Sequence, residues 1–198
     1  MTPEILSGLV AFAFVSSATP GPNNLMLMAS GANYGFARSI PHMAGISLGF
    51  SLMIVLVGVG LVQVFVAYPV THTVLKIVSI LYLGYLAWKI ATAAPLRRNE
   101  GKGRPMTFAQ AAAFQWVNPK AWAMALTAIS VYSPDQSLRA IAVVAVIFAV
   151  VNFPSVTLWT VLGQQMARFL TNPQRLRAFN WTMALLLLAS LYPVIWPA

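Results

Sequence analysis

Four long stretches of this chain, residues 5–37, 39–75, 140–167 and 178–198, contain no Asp, Glu, Lys or Arg. Each matches or exceeds the roughly 20 apolar residues that a helix needs to cross a bilayer core. Only 8% of the 198 residues are charged. Soluble domains carry about 25%, so a water-facing surface cannot be built from this sequence. The fold class predicted is an all-α integral membrane protein, in contact with the lipid bilayer over most of its surface.

The net charge of +9 does not indicate nucleic acid as a partner. The basic residues fall at the ends of apolar runs, as expected of membrane topology, and not in a stripe on a soluble domain. Cysteine is absent, which removes disulfides, thiolate metal sites and thiol redox chemistry. His42 and His72 lie near opposite span ends, too far apart for one metal, and nothing in the sequence calls for a cofactor. The first apolar run follows Glu4 with no basic segment before it. It is therefore expected to be a retained span and not a cleaved signal peptide.

Six spans are predicted, at about residues 5–33, 40–66, 70–92, 108–131, 138–166 and 176–192. Between the third and fourth lies "APLRRNEGKGRP", with four basic residues, two glycines and two prolines, the one linker-like composition in the chain. Arg38, Lys89, Arg97, Arg98, Lys102, Arg104, Arg168, Arg175 and Arg177 fall after odd-numbered spans. Those loops are thus expected in the cytoplasm and both termini in the periplasm. Three spans precede the linker and three follow, so the second trio enters from the opposite side. That is the layout of an inverted repeat, with repeat 1 at about 1–93, a cytoplasmic linker at about 94–106 and repeat 2 at about 107–198, in a single transmembrane domain covering 1–198.

The first span of each half carries an interruption. Span one holds "TPGPNN" and span four holds "VNPKAW". Pro20 and Pro22 have no N–H, so in a continuous helix the carbonyls of Ser16 and Ala18 would lose their partners. Thr19 precedes a proline and is biased away from helix, and Gly21 permits positive φ. As one helix, residues 5–37 would run about 50 Å at ~1.5 Å per residue, against a core of about 30 Å. Pro22 suits the first position of a new helix, which would place Asn23 and Asn24 in a first turn with free N–H groups. Such a turn attracts anions, and the carbonyls released before it attract cations. A zwitterion needs both poles, and matched broken helices are a pointer to a transporter's binding site.

These residues resemble a known family. "TPGPNN" in the first span, "GISLGF" in the second, "LKIVSILYLGYLAWK" in the third and "NPKAW" in the fourth are similar to the LysE/RhtB amino-acid exporters over essentially the whole chain. "MTPEILS", "TPGPNN", "SLGF" and "AWKIAT" look most like the cysteine and O-acetylserine exporter branch. The resemblance implies a bacterial inner-membrane exporter of small zwitterionic, amino-acid-like solutes, driven by the proton gradient and working as a homodimer. It carries Thr19, Pro20, Gly21, Pro22 and Asn23 to the substrate path, with Asn118, Pro119 and Lys120 as their counterpart. The family often has an Asp in the second span where this chain has Phe50. No acid falls inside any predicted span, so a membrane-centre carboxylate carrier is unavailable.

Lys120 is the one charged residue deep in a span, and intramembrane ionisable groups are costly and usually functional. It is the first proton-coupling candidate. A bland alternative has it snorkelling to an interface. His42 is the second candidate, because imidazole titrates near physiological pH; otherwise both histidines read as satisfied interfacial residues. Asn152 and Pro154 are expected to interrupt the fifth span and to widen the cavity, or else to form a simple kink. "GISLG" at 45–49 matches a nucleophile elbow, but that motif needs a strand–turn–helix and a nearby acid. Gly45 and Gly49 read better as a packing ridge. Trp88, Trp159, Trp181 and Trp196 read as interface anchors, while Tyr82 and Tyr85 suit either core or cavity. A non-transporting membrane scaffold would use the same spans with no need for paired breaks. A membrane enzyme would lack a catalytic constellation.

Overall fold

The computed structural model describes residues 1–93, 104–133 and 137–195. Most of the basic linker, Asp135 and Trp196 lie outside the described residues. Within them all regular structure is helical. The order is α1 (Pro3–Ala18), α2 (Pro22–Tyr34), α3 (Phe36–Leu56), α4 (Val62–Ala67), α5 (Val70–Ala91), α6 (Phe108–Phe114), α7 (Pro119–Tyr132), α8 (Leu138–Met166), α9 (Pro173–Ala189) and α10 (Tyr192–Ile195).

Three helical stretches are long and apolar enough to cross a membrane, namely Phe36–Leu61, Val70–Ala91 and Leu138–Met166. The pair α1 and α2, bent by 52°, makes a fourth if it counts as one span. Of the remaining helices, α9 has 17 residues, and α6 and α7 are separated by a 3-10 turn at Gln115–Val117. The second predicted span is α3 continued through a π-helical turn, Val57–Leu61, where Gly60 takes φ 112°. Only glycine adopts that angle without strain.

Local chemistry explains where the helices start. Pro occupies the first turn of α1, α2, α7 and α9, where its missing N–H removes nothing. Thr2, Asn118, Ser137 and Asn172 cap α1, α7, α8 and α9 through their side-chain oxygens. Thr107 and Gln110 form a reciprocal capping box on α6.

The expected interruption of the fifth span does not occur. α8 is continuous across Asn152 and Pro154. Pro154 is exposed on its outer face, where neighbouring groups and local adjustment accommodate a membrane-helix proline. Asn152 is buried on the opposite side.

α8 packs against α1, α2 and α3, and α5 pairs with α9. Two crossings are close because glycines allow it. A Cβ on Gly31 would strike the backbone of Thr160, and one on Gly163 would strike the backbone of Met28, so α2 and α8 touch main chain to main chain. Gly45 and Gly49 meet Phe108, Ala111 and Ala112 in the same way. "GISLG" is thus a packing ridge against α6. Ser47 is buried there within a continuous helix.

Candidate functional site

Between α1 and α2 the chain is extended, with Thr19 at φ −64°, ψ 141° and Gly21 at φ −167°, ψ 178°. Bare carbonyls in a membrane cost several kcal/mol each, and here each of the four has a donor. Thr19 Oγ1 donates to the Ser16 carbonyl at 3.0 Å. Asn24 Nδ2 and Ser155 Oγ both donate to Ser17, each at 2.8 Å. Trp159 Nε1 donates to Ala18 at 3.2 Å. Asn24 Nδ2 also reaches the Thr19 carbonyl at 2.9 Å.

The remaining donor comes from the other broken helix. Asn118 caps α7, accepting from the Lys120 N–H at 3.2 Å. This holds Lys120 in the first turn, from which its ammonium crosses to the first break. Lys120 Nζ donates to Thr19 O at 2.7 Å and to Thr19 Oγ1 at 2.9 Å. Of the carbonyls expected to attract a cation, that of Thr19 is met by a cation of the protein itself, and those of Ser16, Ser17 and Ala18 by neutral donors. A second link joins the breaks: Asn23 Nδ2 donates to Gln115 Oε1 at 2.9 Å, and Gln115 Nε2 returns a bond to Asn23 Oδ1 at 3.2 Å.

Gly21 is not needed for a positive φ, since −167° is extended backbone open to any residue. It is needed for space. A Cβ there would lie 2.7 Å from Lys120 Cδ and 3.1 Å from Nζ. Gly21→Ala is expected to push the lysine off Thr19 while leaving the helices in place, because a flexible side chain is what must move. Transport should fall severalfold with normal protein levels, measured as efflux rate per inserted molecule. Unchanged efflux would show that the lysine–glycine contact has no role.

A cavity of about 30 Å³ lies against this junction, lined by Ser16, Ser17, Asn23, Asn24, Asn118 and Asn152 among others. A water needs roughly 10–15 Å³ by this measure, so the cavity has room for two or three. On the other side of the junction, toward the start of α5, is a vestibule of about 600 Å³ bordered by Pro20, Pro22, Pro119, His72, Lys76 and Ser79. Gly21 and Lys120 line both spaces. The lysine stem laid on the glycine is therefore the partition between them. α2 has no side-chain cap, so the N–H groups of its first turn carry a positive potential next to this cavity.

Residues 14–190 match the profile of the LysE type translocator family. The chain belongs to that family. It is 31% identical to a cysteine/O-acetylserine efflux protein of Escherichia coli O139:H28 (strain E24377A / ETEC), over 95% of this chain and 96% of that one. It is equally similar to proteins of the same name in Escherichia coli (strain K12) and Shigella sonnei (strain Ss046), over 94% of this chain and 95% of each relative. No solved structure matches. The chain is thus a membrane translocator and not an enzyme.

In this LysE type translocator, the sequence-derived residues Thr19, Gly21, Asn23, Asn24, Asn118, Lys120 and Asn152 converge on one junction. Pro20, Pro22 and Pro119 border its vestibule side. Pro154 stands apart, facing outward. His42 lies in a different cavity and is not a satisfied interfacial histidine: it is buried, and neither ring nitrogen has a partner. His72 is exposed and contacts the Phe65 ring at 5.1 Å. Trp159 serves the first break through its bond to Ala18. Tyr82 packs on Phe114 at 5.8 Å, while Tyr85 is exposed. Gln115, Ser155 and Trp159 were not legible as site residues. A buried amide three positions before Asn118 was the one available signal.

Proposed function

We propose that this translocator exports a small zwitterionic, amino-acid-like solute across a bacterial inner membrane, using the proton gradient and working as a homodimer. The relatives' names supply the solute class, with cysteine and O-acetylserine the first candidates. In this reading six spans form two inverted repeats, at about 1–93 and 107–198. The basic linker is cytoplasmic and both termini are periplasmic. Packing of the kind inverted repeats give supports it: α3 lies on α6 as α8 lies on α1, α3 meets α8, and α5 meets α9.

The observation that carries the function is the lysine seated in the first break. Its ammonium holds the oxygens that a solute's ammonium would seek. A zwitterion entering the junction competes for Thr19, and the displaced Lys120 is then free to pair with the solute's carboxylate. The first-turn N–H groups of α2 offer that carboxylate further donors. Exchange of one ammonium for another avoids a bare carbonyl cage at every stage. It also removes the partition between cavity and vestibule when solute is bound. Lys120 is the group through which proton movement is coupled in this scheme, with His42 the second candidate.

The test is efflux from cells or proteoliposomes loaded with individual amino acids. Wild-type protein is expected to release at least one small neutral amino acid or O-acetylserine. Pro20→Ala combined with Pro22→Ala should let α1 run into α2, keep insertion, and cut efflux at least tenfold. An Ala at 20 or 22 restores an N–H and the helical ladder, at a propensity gain of about 3 kcal/mol per proline. Full efflux by the double variant would sink the binding-site reading.

A further inference from the structure

About ten residues along α2 from the first break, some 15 Å at ~1.5 Å per residue, lies a second cavity of about 50 Å³. It sits between the C-terminal halves of α2 and α5, the start of α3 and residues 104–106. Its polar lining is Ser30, Asn33, Tyr34, His42, Lys89 and Arg104. Two of these are already committed. Ser30 shares a 2.7 Å bond with Ser39, and Asn33 donates to Ala29 O and to Asn180 Oδ1.

His42 is the one buried polar residue among them without a partner. It is 2% exposed, and both ring nitrogens lack a partner. Buried polar groups are nearly always satisfied, and an orphan calls for an explanation. Lys89 and Arg104 stand at the same cavity, both exposed. Among the described residues the sole carboxylate side chain is Glu4, at the start of α1. Two cations and a vacant imidazole therefore share a cavity with no anion of the described chain beside them. A cationic ligand is repelled there. An oxyanion is matched by a planar guanidinium fork, an ammonium and a ring N–H.

We propose that this cavity is a second recognition site, distinct from the break, which binds the carboxylate of the solute before it reaches Lys120. The proposal rests on the exporter reading for its ligand, and free phosphate is the other source of the same chemistry. The break and this cavity lie toward opposite ends of α2, so a solute moving along that helix passes from one carboxylate site to the other.

The purified protein is titrated with O-acetyl-L-serine and, separately, with inorganic phosphate, following the thermal unfolding midpoint. Efflux of O-acetyl-L-serine from loaded proteoliposomes is measured alongside. Lys89→Gln with Arg104→Gln changes two exposed side chains and is expected to leave the fold intact. It should raise the half-saturating solute concentration about tenfold or more, since hydrogen bonds to charged groups contribute roughly 1.5–3 kcal/mol. The maximal rate should stay within twofold. His42→Leu replaces the orphaned imidazole with a hydrocarbon. It should raise the midpoint of the ligand-free protein and shrink the ligand-induced shift. A purely structural histidine would give a lower midpoint instead.

Unchanged half-saturation in the double variant, or a lowered midpoint in His42→Leu, overturns the proposal. A larger shift with phosphate than with O-acetyl-L-serine overturns the solute carboxylate as ligand. A wild-type protein that is stabilised by O-acetyl-L-serine through Lys89 and Arg104 yet exports nothing supports the site and sinks the exporter reading.

Discussion

Lys120→Met removes gradient-driven efflux while the protein still inserts and folds. Methionine keeps an unbranched apolar stem against Gly21 and deletes the ammonium that Thr19 O and Thr19 Oγ1 accept from. The Thr19 carbonyl retains its bond from Asn24, so the break is not orphaned, and the loss of two charge-assisted hydrogen bonds, at roughly 1.5–3 kcal/mol each, is partly offset by no longer burying an ammonium. Efflux should fall at least tenfold per inserted molecule, because nothing remains to trade places with the solute's ammonium or to meet its carboxylate. Lys120→Arg is expected to insert normally and turn over slowly. A guanidinium keeps its charge at any physiological pH, and its planar fork does not substitute for a compact ammonium. The measurement is efflux in proteoliposomes with and without an imposed pH gradient. If Lys120→Met keeps the full response to the gradient, the coupling group lies elsewhere, and His42 is the next residue to change.

Gly163→Ala destabilises the bundle more than any change at the site. The added Cβ would press on the backbone of Met28, and α2 cannot yield as a side chain can. Overpacking typically costs about 1–3 kcal/mol, and a rigid backbone neighbour places this substitution at or above the top of that range. Gly31→Ala, which meets the backbone of Thr160, should behave alike. Gly84→Ala is the control: a Cβ added there would meet no atom within 4 Å, and alanine is the better helix former by about 1 kcal/mol. Unfolding midpoints in detergent separate the cases. Equal midpoints for Gly163→Ala and Gly84→Ala would show that the α2–α8 crossing is looser than its geometry indicates. Part of any loss would also reach the site, because α8 carries Asn152, Ser155 and Trp159 to the first break.

Helix positions were legible wherever a local signal marked them. Val70–Ala91 and Leu138–Met166 begin and end within a residue of expectation, since apolar length and, for the second, the Ser137 cap act through near neighbours. The two breaks were legible for the same reason: Pro20, Pro22 and Pro119 forbid a backbone bond whatever surrounds them. Pro154 shows the limit of that rule. A single proline on a lipid-facing side left α8 whole, and which side it faced depended on packing.

What the sequence determined by itself is the membrane setting, the helical class, the family and the presence of freed carbonyls at Ser16 and Ala18, because charge density, run length, motifs and missing N–H groups are properties of the chain alone. What only the tertiary structure decided is who answers the carbonyls of the first break. Asn24 is a near neighbour, but Lys120, Ser155 and Trp159 lie 101, 138 and 141 positions from their acceptors. The role of Gly21 is settled the same way, by a lysine stem and not by its own dihedral angles. Partners of that kind are chosen by which helix faces are buried together, and no periodicity in the chain records the choice.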